Sequence, residues 1–98
     1  MPNSFTEIHT YYLKPVMNSA DYVNLLVKII DITMHTNGKP PIVIFNFSEF
    51  GENNVPEYGA RTLMGACGLI EGLNGATNFV AMSEKTKKSL LPFSLDLN

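Results

Sequence analysis

The run Ile42-Val43-Ile44-Phe45-Asn46-Phe47 most constrains what this chain can fold into. It is apolar at both parities except for Asn46. A strand with one wet face alternates apolar and polar residues, so this pattern predicts a strand buried on both faces. Such strands belong to parallel sheets covered by helices. Pro40-Pro41 precedes the run and Ser48 opens a polar loop after it. The run is therefore placed at the centre of a sheet.

The flanks supply the rest of an α/β unit. Phe5 to Leu13 is rich in Tyr, Thr and Phe with polar residues on both parities, as suits an edge strand. Pro15 ends it, since proline donates nothing to a ladder. Ser19 is the expected cap of a helix, with Asp21 in its first turn. Tyr22, Leu25, Leu26, Ile29, Ile30 and Thr33 follow at helical spacing, and Val23, Val27 and Met34 widen the stripe. Asn37-Gly38 is the stop.

After the loop from Ser48 to Asn53, Asn54-Val55-Pro56-Glu57 reads as a helix start. Asn54 is the expected cap, Pro56 suits the first turn, and Glu57 is placed to reach back to the cap. The helix runs to about Leu73 and ends at Asn74-Gly75. Its interior glycines, Gly65, Gly68 and Gly72, each cost about 0.8–1 kcal/mol relative to alanine. With Ala60, Ala66 and Cys67, they predict a small-residue face packed closely against the sheet or another helix. Thr77 to Met82 is a third strand, and Ser83 caps a short helix through about Leu91. The tail Phe93 to Asn98 alternates, and reads either as a final strand or as apolar groups tucked under the domain. The order is β-α-β-α-β-α in one domain of 98 residues. It predicts a small, mainly parallel or mixed sheet with right-handed crossovers, whose edges self-association would cover.

A formal net charge of −2 argues against a nucleic-acid binder, which needs a basic face. Lys85, Lys87 and Lys88 read as a solvated helix face. No apolar stretch is long enough to span a bilayer. The first residues lack the basic start and apolar core of a signal peptide, and a single cysteine, Cys67, makes no internal disulfide. A cytoplasmic location is expected.

In open α/β sheets, ligands and partners engage loops beyond the carboxyl ends of the strands. That points to Ser48, Glu49, Glu52, Glu57, Tyr58, Arg61 and Thr62 as a partner-binding set. Grouped carboxylates do acid–base chemistry only where burial separates their pKa values. A solvated loop with a capping Glu57 explains them equally. No catalytic residue, cofactor or metal site is nominated. His9 and His35 lack a second ligand at metal spacing, and His35 suits a helix C-terminus. Cys67 has no activating base nearby in sequence and reads as a small buried hydrophobe. Gly65-x-x-Gly68 lies inside a helix, where it cradles no phosphate.

From Pro41 to Leu91 the chain resembles the STAS domain, the fold of bacterial anti-sigma factor antagonists and sulphate-transporter tails, and the related SpoIIAA-like proteins. The residues that carry the resemblance are the strand Ile42 to Phe47, the loop Ser48-Glu49-Phe50, and the helix opening at Gly59. The glycine-led strand Gly75 to Ser83 follows, and Lys87, Leu90 and Leu91 fit the closing helix. The family's Asp-Ser-Ser/Thr-Gly turn, whose hydroxyl a partner kinase phosphorylates, falls on Pro56-Glu57-Tyr58-Gly59, and only the glycine matches. The resemblance therefore implies a regulatory module without the usual phosphoacceptor, in which Glu57 supplies fixed negative charge or merely caps a helix. Its implied partner is a kinase-like anti-sigma factor, a larger signalling assembly, or a second copy in a homodimer. The alternatives are a small-ligand or lipid carrier, which needs an apolar pocket, and a small enzyme using the loop carboxylates.

Overall fold

The computed structural model describes residues 7–93. The elements are β1 (Ile8–Tyr12), α1 (Ser19–Met34), β2 (Ile42–Asn46), α2 (Glu57–Glu71), β3 (Ala76–Val80) and α3 (Glu84–Leu90), closed by a 3-10 turn at Leu91–Phe93. This is the α/β class and the β-α-β-α-β-α order expected from the sequence. Both strand pairs are parallel, in the order β1-β2-β3, with Ile8 beside Ile42 and Ile42 beside Ala76. Phe5 and Thr6 of the expected first strand, and the tail after Phe93, lie outside the described residues.

Strands in sequential order with right-handed crossovers put both crossover helices on one side of the sheet. α1 and α2 accordingly pack against each other. The covered face carries Val43, Phe45 and Phe79, all buried. The other face carries three rows of three: Ile8, Ile42 and Ala76; then Thr10, Ile44 and Asn78; then Tyr12, Asn46 and Val80. No helix among the described residues covers these rows, and Ile8, Tyr12 and Val80 are exposed. β2 is therefore central as expected, but it is fully buried on one face only. Ile42, Ile44 and Asn46 are half-buried beneath the side chains of the neighbouring strands.

Capping residues set the helix limits. Asn18, and not Ser19, caps α1. Its Oδ1 accepts from the Asp21 N–H at 2.9 Å, and its own N–H donates to Asp21 Oδ2 at 2.9 Å. The reciprocal box needs a side chain that reaches back from three residues on, and only the Asn18–Asp21 spacing supplies one. At the other end His35 Nδ1 lies 2.8 Å from the Asp31 carbonyl, as expected of a histidine at a helix C-terminus. Asn37 and Gly38 then turn the chain through positive φ.

α2 departs further from expectation. Its N-cap is Pro56, which makes no side-chain cap bond, and Asn54 is an exposed loop residue. Val55 explains this. A residue before proline is biased to extended backbone. Val55 is buried, and Ser89 Oγ holds its N–H at 2.9 Å, so the helix cannot start before it. Glu57 turns outward to Arg61 instead of back to a cap. Gly59, Ala60, Ala66 and Cys67 do face the core. Gly65 and Gly68 do not: a Cβ on either meets nothing within 4 Å. The glycine that leads β3 has a steric reason, because Gly75 approaches the Pro41 carbonyl too closely for a side chain. Phe79 packs against Phe45 and Phe47 at 5.2 and 6.0 Å between ring centroids.

Candidate functional site: the rim at the carboxyl end of the sheet

Parallel strands end together, so the loops after β1, β2 and β3 share one rim. The β2–α2 loop is anchored from below. Phe50 is buried and packs edge-on to Phe47, with centroids 5.5 Å apart. Asn53 Nδ2 donates to the Phe50 carbonyl at 2.6 Å. α3 holds the loop from the side: the buried Thr86 hydroxyl donates to the Asn53 carbonyl at 2.6 Å. Ser89 Oγ accepts from the Val55 N–H and donates to the Thr86 carbonyl. A polar loop of this length is thus fixed by one aromatic plug and two hydroxyls.

On that support sit Ser48, Glu49, Glu52, Glu57, Tyr58, Arg61 and Thr62, in two groups. In the loop, the Ser48 N–H donates to Asn46 Oδ1 at 2.8 Å, and Glu49 accepts from Lys14 Nζ at 2.6 Å. Glu52 is exposed. On the first turns of α2, Glu57 Oε2 accepts from Arg61 Nε at 2.9 Å and lies 2.8 Å from its Nη2. The Arg61 guanidinium also stands 5.7 Å over the Phe93 ring. Thr62 Oγ1 donates to the Tyr58 carbonyl of its own helix at 2.8 Å.

Tyr58 is the most structured member. Its hydroxyl donates to the Met17 carbonyl at 3.2 Å, and its ring stands edge-to-face on buried Tyr22 at 5.8 Å, while 45% of the residue stays exposed. The Tyr22 hydroxyl beneath is buried without a hydrogen-bond partner. Burial pushes its pKa up to about 12, with smaller contributions from Tyr58 and Asp21.

Several participants were not found from the sequence. Lys14 and Met17 belong to the β1–α1 loop, which parallel topology brings beside the β2–α2 loop. Thr86, Ser89 and Phe93 lie more than thirty residues along the chain, and their spacing gives no hint of the contact.

Other candidates resolve plainly. Cys67 is buried, and burial raises its thiol pKa against a smaller opposing hydrogen bond with Thr77, which disfavours the thiolate. No group of three His, Cys, Asp or Glu among the described residues is placed to hold a metal ion. No described helix is long and apolar enough to cross a membrane. A cleft of about 300 Å³ opens at the opposite end of the sheet, between His9, Asp31, His35 and Pro40. Its histidines lie 3.3 Å from Glu7 and 3.5 Å from Asp31. Its lining mixes the polar Glu7, Asp31 and Lys39 with the apolar Ile32, Pro40 and Pro41. Compared with protein-family models, curated proteins and solved structures, the chain matches none of them.

Proposed function

We infer that the protein is a non-catalytic, STAS-like regulatory module of the cytoplasm that binds a protein partner through this rim. The observation that carries the reading is Tyr58. Binding energy at protein interfaces concentrates in a few Tyr, Trp and Arg anchors that are already ordered. Tyr58 is such an anchor: half exposed, pinned at its hydroxyl, braced by Tyr22, and flanked by the Glu57–Arg61 pair. Charge around an anchor sets orientation and encounter rate more than affinity. Glu49, Glu52, Glu57 and Arg61 are suited to that role.

The loop carboxylates favour recognition over acid–base chemistry, because Glu49 and Glu57 are exposed and engaged by Lys14 and Arg61. Thr62 turns its hydroxyl to its own helix, and Glu57-Tyr58 stands where the family's phosphoacceptor would be. The proposed module is therefore not switched by phosphorylation at that position. A kinase-like anti-sigma factor or a larger signalling assembly is the expected partner class.

The test is affinity capture of the tagged chain from native lysate, beside Arg61→Glu and a Glu57→Lys/Tyr58→Ala double variant whose melting curves match the parent. A partner held by the parent and lost by both variants supports the rim. The same proteins recovered by all three forms, or none by any, rejects it.

A further inference from the structure

Among the described residues, the open sheet face and the outer surface of the helix pair are left uncovered, and their size separates them. The open sheet face is three strands wide and five residues long, or roughly 14 × 17 Å. The outer surface of the helix pair is larger. Along α1, Val23, Val27, Ile30 and Met34 recur at spacings of four, three and four, and all are exposed, Val27 by 56% and Met34 by 73%. The opposite flank of α1, with Asp21, Asn24 and Lys28, borders β1, so this stripe lies on the flank turned toward α2. Tyr58 marks the flank of α2 turned toward α1, since it touches Tyr22 and Met17. Leu69 follows on that flank at helical spacing. Gly65 and Gly68 lie on the outer side of α2 with open space above them.

The helix surface is thus a ridge beside a trough. The ridge is the α1 stripe. The trough runs over Gly65 and Gly68 between Met64 and Leu69, both about two-fifths exposed. None of these residues is charged. The two interior glycines lower the helix propensity of α2. Among the described residues nothing packs into the space their missing side chains leave.

We propose that this face is the interface of a homodimer, in which the α1 ridge of each copy seats in the glycine trough of the other. A two-fold axis makes such a contact reciprocal, so a surface carrying both a ridge and its matching trough is complementary to itself. The ridge and trough residues carry no charge, and Arg61, in line with Gly65 and Gly68 one turn earlier, is already paired with Glu57, so the pairing buries no unpaired charge from them. Area agrees. A helix of sixteen residues is about 24 Å long, and two side by side span about 20 Å. That footprint, about 480 Å² before side-chain relief, is about twice that of the sheet face and comes nearer the roughly 800 Å² per partner of a stable interface. The contact is separate from the rim and does not depend on the rim's function.

Sedimentation velocity of the full chain, from about 1 to 200 μM, tests the proposal. The expected mass rises toward twice the chain's 10.9 kDa. Val27→Glu sets a charge on the ridge and Gly68→Leu fills the trough. Each is expected to weaken the dimer by at least about tenfold in Kd, with the circular dichroism spectrum unchanged. Gly68→Leu also raises helix propensity, so a loss of dimer there is not a folding defect. Ile8→Glu on the sheet face and Glu57→Lys on the rim leave the mass unchanged. A monomer at every concentration overturns the proposal. So does a dimer indifferent to both helix variants, or one that Ile8→Glu abolishes.

Discussion

The Tyr22 ring lies directly under Gly59: a Cβ added to the glycine would stand 2.6 Å from Tyr22 Cζ and 2.8 Å from Cε1. This contact sets how closely α1 and α2 approach at the rim, and it carries Tyr58 on its upper side. Gly59→Ala must push a buried ring or a helix aside. We expect a net loss of about 1–3 kcal/mol by urea unfolding, despite the better helix propensity of alanine. Gly65→Ala is the internal contrast, because its Cβ enters open space. It should gain about 0.5–1 kcal/mol, measured in the Val27→Glu background so that self-association does not enter. Equal effects at the two positions would contradict the packing described.

The hydroxyl of the same tyrosine is buried and unpartnered. Tyr22→Phe removes a desolvated group and no hydrogen bond, so stability should be unchanged or about 1 kcal/mol higher. The pH dependence follows from the raised pKa. Burial holds the folded phenol protonated to about pH 12, against an ordinary value of 10.0. The contribution is complete below pH 10 and is lost as pH rises from 10 toward 12, because only the unfolded chain releases the proton there. Tyr22→Phe should flatten that alkaline decline in a series of unfolding curves. Parallel declines for the two proteins would remove the assignment.

Thr86 ties α3 to the loop beneath the rim through the Asn53 carbonyl. Thr86→Val keeps the shape and deletes the donor inside a buried site. The expected cost is about 1–3 kcal/mol. Hydrogen exchange gives the sharper reading, since the Val55 amide, bonded to Ser89 on the same helix, should lose protection before the strand amides of β2. Uniform loss across both would mean that α3 stabilises the whole fold and not the loop in particular.

The order of elements was legible because each carries a local signal: the apolar run of β2, the 3.6-residue stripe of α1, and the turn residues Asn37-Gly38 and Asn74-Gly75. What failed was decided between elements. An apolar run fits burial on both faces, but whether a helix covers each face depends on crossovers, and both crossovers here fall on one side. The α2 glycines signalled close packing, yet only rotation about the helix axis separates Gly59, pressed on Tyr22, from Gly65 and Gly68, which face outward. The rim residues were legible as a chain segment. Their supports were not: Phe50 reads as a stray aromatic in a polar loop, and Thr86 as an ordinary polar residue in a lysine-rich helix, until the tertiary contact joins them.

Ala81 provides a final test of the rim's construction. It follows β3 directly and holds φ at +61°, a left-handed conformation that costs a residue with a Cβ about 1–2 kcal/mol. Asn37 and Asn74 adopt similar angles, but asparagine tolerates them. The turn at Ala81 follows from its neighbours. Val80 still accepts from the Phe47 N–H at 2.9 Å, and Ser83 must already be in place to cap α3, where its Oγ accepts from the Thr86 N–H at 3.1 Å. Two residues remain to reverse from strand to helix, and the first takes the positive φ. Glycine at that position relieves the strain and loses some unfolded-state restriction in exchange. Ala81→Gly should therefore raise stability by about 0.5–1 kcal/mol, read as a higher urea midpoint at unchanged slope. A lowered midpoint would mean that the alanine methyl makes a contact worth more than the backbone strain it imposes.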